Sequence, residues 1–367
     1  MQTYRAAVVG CGRIGSLWDM ENDPPVPLSH AGALSLVPQF KLVAGASRGR
    51  EHLEAYGRRW GVTALYTDYR EMLAKERLDV VTIATHPQHH RGIVEAATAA
   101  GVKAIFCEKP MALSLEDADA IVAACRKAGC ILSVNHSRRW YPSYLKAKEL
   151  VQQGAIGELV SLYGMCQGGK PYPAWTADEE GPMLHDGVHL FDLFRLFAGN
   201  VKAVMGTALK RKLPFRVEDD AQAIFEFEAG VSAVALVNEL TRYSRFEIEV
   251  QGTEGMMRLN DHETLLWGSA PIIGHRREPD PRIEWWRLDP RPFPAYPQGQ
   301  PLLLAIQELA ECLETGKTPS STGEDGVASV EMCMAVYESE LRGNARVTLP
   351  LQRRKSQLYA LREAGKL

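Results

Sequence analysis

Short apolar runs separated by helical stretches fill the first 135 residues: YRAAVVG, FKLVAGAS, DVVTIAT, VKAIFCEKP and CILSVNH. Strands alternating with helices predict a parallel, doubly wound α/β sheet, because every parallel connection needs a crossover that a helix can supply. One intervening helix carries its own boundaries. Ser114 with Asp117 resembles a capping box, LEDADAIVAACRKA keeps a helical period, and Gly129 stands where a C-terminal glycine belongs. From about residue 158 the pattern changes to longer strands, ELVSLYGMCQ, DAQAIFEFEAG, VSAVALVNELT and RFEIEVQGTEGMMRL, linked by turn-like glycines. Their alternation predicts a largely antiparallel sheet in a second, α+β domain, with the division at 1–135 and 136–367. Residues 268–301 are rich in proline and read as a long irregular excursion, and RRKSQLYALREAGKL reads as a basic amphipathic tail.

Composition narrows the classes. A chain of 367 residues with 46% hydrophobic content is long for one domain and can bury two sizeable cores. A net charge of -3 with acids and bases interspersed offers no broad basic field, which argues against nucleic acid or an anionic membrane as partner. No window approaches the roughly 20 apolar residues of a membrane span, and MQTYRAAVVGCG enters a strand without a signal-peptide pattern, so a cytoplasmic protein is expected. Seven scattered cysteines without a Cys-x-x-Cys pair read as reduced core residues.

The first candidate chemistry lies in VVGCGRIG, where Gly10, Gly12 and Gly15, with Arg13 and Ile14 between them, follow a strand and precede a helix. That context suits a dinucleotide: a tight turn, close backbone approach to a pyrophosphate, and a helix N-terminus to receive its charge. At the end of the second strand an Asp or Glu usually binds the ribose 2′-hydroxyl. Here GASRGR places Ser47 there, followed by Arg48 and Arg50, a set suited to a 2′-phosphate. NADP(H) is therefore the expected cofactor, with NAD(H) the alternative. The stretch LWDMENDPPVPLSH adds about a dozen residues to a minimal βαβ unit and reads either as one wall of the site or as a surface loop, the second slightly preferred.

Taken in order, GCGRIG, TIATHPQHH, CEKP, HSRRWYPSYLKAKELVQQGAIGE, DGVHLFD, FEIEVQGTEG and TGEDGVASVEMCMAVYES resemble the glucose-fructose oxidoreductase, inositol dehydrogenase and rhizopine-catabolism family, Gfo/Idh/MocA. The resemblance runs nearly end to end. It implies an N-terminal Rossmann domain, a C-terminal domain with a large open sheet, and a homodimer or homotetramer assembled through that sheet. It also implies that Thr85 and Glu108 belong to the cofactor site, and that Lys109 of the Glu-Lys-Pro motif and His189 line the pocket beside the nicotinamide. Two departures stand out. The family pattern Asp-x-Gly-x-His-x-x-Asp has His185 at its first position, with Asp186 one place out of phase, and ATHP inserts His86 where a Thr-Pro pair is usual.

In HDGVHLFD, residues 185–192, a regular helix places His185, His189 and Asp192 within about 60° of one another, away from the apolar stripe of Leu190, Leu193, Phe194 and Phe197. Metal chelation, a satisfied polar seam and a catalytic face compete for this cluster. The spacing lacks the Glu of the zinc-protease motif and the resemblance requires no metal, so the catalytic face is preferred. Oxidising a secondary alcohol releases a hydride and a proton, and the proton needs a base. The expected roles are His189 as acid/base, Lys109 orienting the substrate oxygen, and His185 contacting an adjacent hydroxyl. With a histidine in place of the carboxylate, His189 loses an obvious anionic partner. Asp186, Tyr172 and Trp175 complete the expected substrate site, the two aromatic rings by stacking on a sugar. His86 and His90 follow another strand end, and Arg139 reads as structural. The expected activity is oxidation or reduction at a CH-OH carbon of a sugar, sugar derivative or cyclitol. A redox-assisted glycoside-cleaving enzyme and a non-catalytic cofactor-sensing regulator are the alternatives.

Overall fold

The structure is a computed structural model that describes residues 2–19, 26–168, 179–272 and 286–367. It divides into two compact units, the first made of residues 1–141, 298–334 and 351–357, the second of residues 142–297, 335–350 and 358–367. The sequence reading placed one linear division at 135/136. By packing, two C-terminal segments return to the first unit.

The first unit holds a six-stranded parallel sheet of β1 (Tyr4–Val9), β2 (Phe40–Ala46), β3 (Ala64–Tyr66), β4 (Val80–Ile83), β5 (Ala104–Cys107) and β6 (Ile131–Val134), in the order β3-β2-β1-β4-β5-β6. The order in which strands are added reverses between β1 and β4, which remain parallel, and that switch point is where such sheets take their ligands. Every residue of β4 and β5 is buried because helices cover both faces. Successive side chains feed opposite cores. Ala7 and Val9 join Val81, Ile83 and Ile105 on one face, whereas Ala6 and Val8 join Val80, Phe106 and the helix Pro301–Thr315 on the other. The helix Leu115–Ala128 forms as its caps predict: Ser114 accepts from Asp117 N, and Gly129 adopts φ +64°.

The second unit holds a nine-stranded sheet of β7 (Leu159–Gln167), β8 (Val201–Leu209), β9 (Asp220–Phe227), β10 (Ser232–Asn238), β11 (Arg245–Gly252), β12 (Gly255–Asn260), β13 (Thr264–Pro271), β14 (Trp286–Arg291) and β15 (Val347–Thr348). The order is β14-β13-β12-β11-β7-β10-β9-β8-β15, antiparallel at every junction except β7–β10. β14 corrects the sequence reading of an irregular excursion. Its Pro290 is tolerated because the strand lies at the sheet edge, where a missing N–H breaks no ladder on the open side. On the inner face the helix Val188–Ala198 lies close against β7. A Cβ on Gly164 would fall 2.5 Å from Leu190 and 2.7 Å from Phe194, so glycine is what lets the helix approach. Phe191 and Phe194 stack at 4.9 and 5.9 Å on Phe225 of β9. This packing fixes the rotation of the helix and with it the direction of His189.

Candidate active site

In the first unit the expected cofactor residues follow the carboxyl ends of neighbouring strands. Gly10, Gly12, Arg13, Ile14 and Gly15 follow β1, Ser47 and Arg48 follow β2, Thr85 follows β4, and Glu108 and Lys109 follow β5. The three glycines serve separate needs. Gly10 has φ +98° and a Cβ there would lie 2.4 Å from the Ala84 carbonyl oxygen; one on Gly15 would lie 1.9 Å from the Gly10 carbonyl oxygen. Those two are required by the turn itself. At Gly12 a Cβ would meet nothing within 4 Å, so glycine there leaves an open backbone approach, which fits a pyrophosphate. Arg13 is exposed with its guanidinium 4.7 Å from the Trp18 ring centroid. Burial, then the charge of Arg48, lowers the pKa of His89, which puts Arg48 near the loop after β4.

Glu108 is buried at the end of β5. Its Oε1 accepts from Asn135 Nδ2 at 2.6 Å and sits 2.9 Å from His30 Nε2, and its Oε2 accepts from Lys109 N at 3.2 Å. Burial alone would raise the carboxyl. The His30 hydrogen bond, the charges of His30 and Lys109, and the Asn135 amide outweigh it and hold Glu108 below the ordinary glutamate range. Lys109, half-buried, thus stands beside an ionised carboxylate. His30 and Asn135 were missed in the sequence. His30 is supplied by the end of the insertion, whose base is closed by buried Asp19: its carboxylate accepts from Leu28 N at 2.6 Å, Ser29 N at 3.2 Å and the Ser29 hydroxyl. Arg139 bonds the Ser320 carbonyl oxygen at 2.6 Å and both Asp325 oxygens, a structural tie.

In the second unit His185, Asp186 and His189 occupy one helical segment, but not a uniform one. Met183–Gly187 winds as a wide π-type turn in which Val188 N reaches back to the Met183 carbonyl oxygen, and the regular helix starts only at Val188. The 100° phase assumed over residues 185–192 therefore does not carry through the turn. Wide turns of this kind recur at functional sites. All three side chains are half-buried and Asp192 is fully buried. Buried Glu180 places Oε2 3.7 Å from His185 Nδ1, an ion-pair distance rather than a hydrogen bond. Below the turn lies Glu218, fully buried, whose Oε1 accepts from Met183 N at 3.1 Å and from the Tyr337 hydroxyl at 2.9 Å. Burial pushes its carboxyl up to about 7, against those hydrogen bonds and the charge of Arg362. A Cβ on Gly181 would fall 2.2 to 2.4 Å from the Glu218 carboxyl atoms. Glu218 could not be found by spacing, since it acts through tertiary contact; Glu180 stands only five residues before His185, and the widened turn is what brings the two together. Tyr172 and Trp175 lie outside the described residues. Among the described residues no group of three or more His, Cys, Asp or Glu is placed to hold a metal ion.

Comparison with known proteins agrees with this architecture. A family model described as the oxidoreductase family with an NAD-binding Rossmann fold matches residues 4–136, and one described as the GFO/IDH/MocA C-terminal domain matches residues 144–258. D-apiose dehydrogenase of Paraburkholderia graminis is 30% identical over 358 residues, covering 94% of this chain and 89% of the relative. The NAD(+)-dependent scyllo-inositol 2-dehydrogenase of Bacillus subtilis is 29% identical over 92% of this chain and 94% of its own. The solved WlbA dehydrogenase of Bordetella pertussis, in complex with NADH and UDP-GlcNAcA, shares the fold with a TM-score of 0.78 at 23% identity, covering 96% of this chain and 100% of that one. With its glycine loop, its Glu-Lys pair after β5 and its open second sheet, the chain belongs to the Gfo/Idh/MocA family of nicotinamide-dependent dehydrogenases.

Proposed function

We propose that the protein is an NADP(H)-preferring oxidoreductase acting on a secondary alcohol or ketone of a sugar, sugar derivative or cyclitol. The observation that carries this is Lys109 beside ionised Glu108 at the carboxyl end of β5, on the same sheet edge as the glycine loop after β1, with β4 between them. The dehydrogenases of apiose and scyllo-inositol that resemble it over nearly their full length support the substrate class. The nicotinamide, when bound, gives or accepts the hydride. The chain's residues hold and move the proton: His189 exchanges it with the substrate oxygen, Lys109 orients and polarises that oxygen, and His185, braced by Glu180, contacts an adjacent hydroxyl with Asp186 nearby. Tyr172 and Trp175 supply stacking faces. Ser47 and Arg48 at the end of β2 favour a 2′-phosphate. In this reading residues 1–135 serve the cofactor and residues 136–367 the substrate and self-association, in the cytoplasm. No helix among the described residues is long and apolar enough to cross a membrane.

The deciding experiment incubates the protein with NADP or NAD and a panel of sugars, glycosides and cyclitols, following reduced-nicotinamide absorbance and product masses together. Reduction with a ketone product is expected; cleavage of a glycoside with no net reduction would replace this reading by a redox-assisted glycoside-cleaving enzyme. With the substrate in hand, Lys109→Ala and His189→Ala should each lower kcat by about 10²- to 10⁴-fold. Near-normal turnover in both would remove them from the chemistry.

A further inference from the structure

His90 opens the helix His90–Ala99 and is fully buried between two loops that the proposed reaction uses. Its Nε2 lies 3.0 Å from the carbonyl oxygen of Thr85, in the loop after β4. Its Nδ1 lies 3.1 Å from the carbonyl oxygen of Met111, two residues beyond Lys109 in the loop after β5. Carbonyl oxygens only accept, and a neutral imidazole has a single N–H. Both contacts are hydrogen bonds only when the ring carries two protons. A neutral ring would aim a lone pair at a carbonyl oxygen at a direct contact distance of 3.0 or 3.1 Å, an arrangement buried polar groups avoid.

We infer that His90 is held as an imidazolium that staples the Thr85 loop to the Lys109 loop and so fixes their separation. It is a positioning residue, and its effect on turnover rests on the reading that these loops flank the nicotinamide. Burial disfavours the charged ring, and the two carbonyl oxygens are the groups that offset it. Cys107 Sγ from β5 lies 3.4 Å from Nδ1, but burial keeps it a neutral thiol whose one proton goes to the Glu108 carbonyl oxygen at 3.5 Å, which leaves Nδ1 to donate to Met111. Arg91, next along the helix, is turned away to Glu95 and to Asp117 of the helix Leu115–Ala128. Tyr69, from the helix Tyr69–Lys75, has its pKa raised chiefly by burial and stays neutral. His89 has its pKa lowered by burial and by Arg48, which leaves it neutral on the adjoining turn. Glu108 and Lys109 flank the second loop as an opposite-charge pair.

The test uses the wild-type protein with ¹⁵N-labelled histidine, its His90 ring signals assigned through proximity to Thr85 and Met111. At about pH 7.5, where an ordinary histidine is mostly neutral, both His90 nitrogens are expected to be protonated; a single neutral tautomer there overturns the inference. A second arm measures His90→Gln. Losing the staple should lower kcat by about 10- to 100-fold, while affinity for ADP-ribose, which lacks the nicotinamide that these loops position, should fall by about threefold at most. Equal losses in both would make His90 a general structural residue and overturn the positioning role. Wild-type protein that binds no nicotinamide dinucleotide would end the functional reading above, while the protonation state of the ring would still be decided.

Discussion

Arg48 is where a single side chain should decide the choice of cofactor. A charge-assisted hydrogen bond to a phosphate contributes about 1.5 to 3 kcal/mol, and a carboxylate in its place both removes that bond and repels the 2′-phosphate. Arg48→Glu should therefore shift the ratio of kcat/KM for NADP over NAD toward NAD by at least about tenfold. An unchanged ratio would mean that the exposed guanidinium does not reach the cofactor. At this scale Gly10, Gly12 and Gly15 were legible in the sequence because a turn motif is local. His30 and Asn135 were not, since their service to Glu108 depends on a helix and a strand end brought together only by the fold.

The Met183–Gly187 turn and the helix after it form the element whose state should follow pH. In the folded chain Glu218 holds its proton up to about 7, whereas in the unfolded chain it has the ordinary glutamate value, 4.5. Between those values the folded form binds more protons, so this group's contribution falls as pH rises through the window and levels off above it. The loss is at most about 3 kcal/mol. Glu218→Gln stays neutral throughout and should flatten the slope: urea midpoints at pH 5 and pH 8 should differ less in the variant than in the wild type. Identical differences would show that another group sets the dependence. The sequence revealed that this stretch is helical and which face is apolar, because the period of Leu190, Phe194 and Phe197 survives. It did not reveal the widened turn. Bonding five residues back leaves no mark in composition, and neither does the sheet-edge position that makes a strand of Trp286–Arg291 despite Pro290.

For the whole molecule, the outer face of the nine-stranded sheet is the surface with unspent apolar area. Met205, Ile224, Val234 and Tyr163 form one registered row across β8, β9, β10 and β7, and Ile224 and Tyr163 are exposed. We propose that a second copy covers this row. Ile224→Lys, placing a charge in the middle of it, should convert the assembly to monomers in sedimentation velocity without altering the far-ultraviolet circular dichroism. A wild-type protein that is already monomeric would refute the assignment.

The helix Pro301–Thr315 completes one core of the cofactor unit, yet translation delivers it only after strands β7 to β14 have left the ribosome. Leu302, Ile306 and Leu309 bury fully against that core. At about 2 kcal/mol each they supply roughly 6 kcal/mol, as much as the entire net stability of many domains. The nascent cofactor unit must therefore pass through synthesis with an uncovered apolar flank. A gene cut after residue 141 would yield not a minimal dinucleotide binder but a fragment with that apolar flank open to solvent.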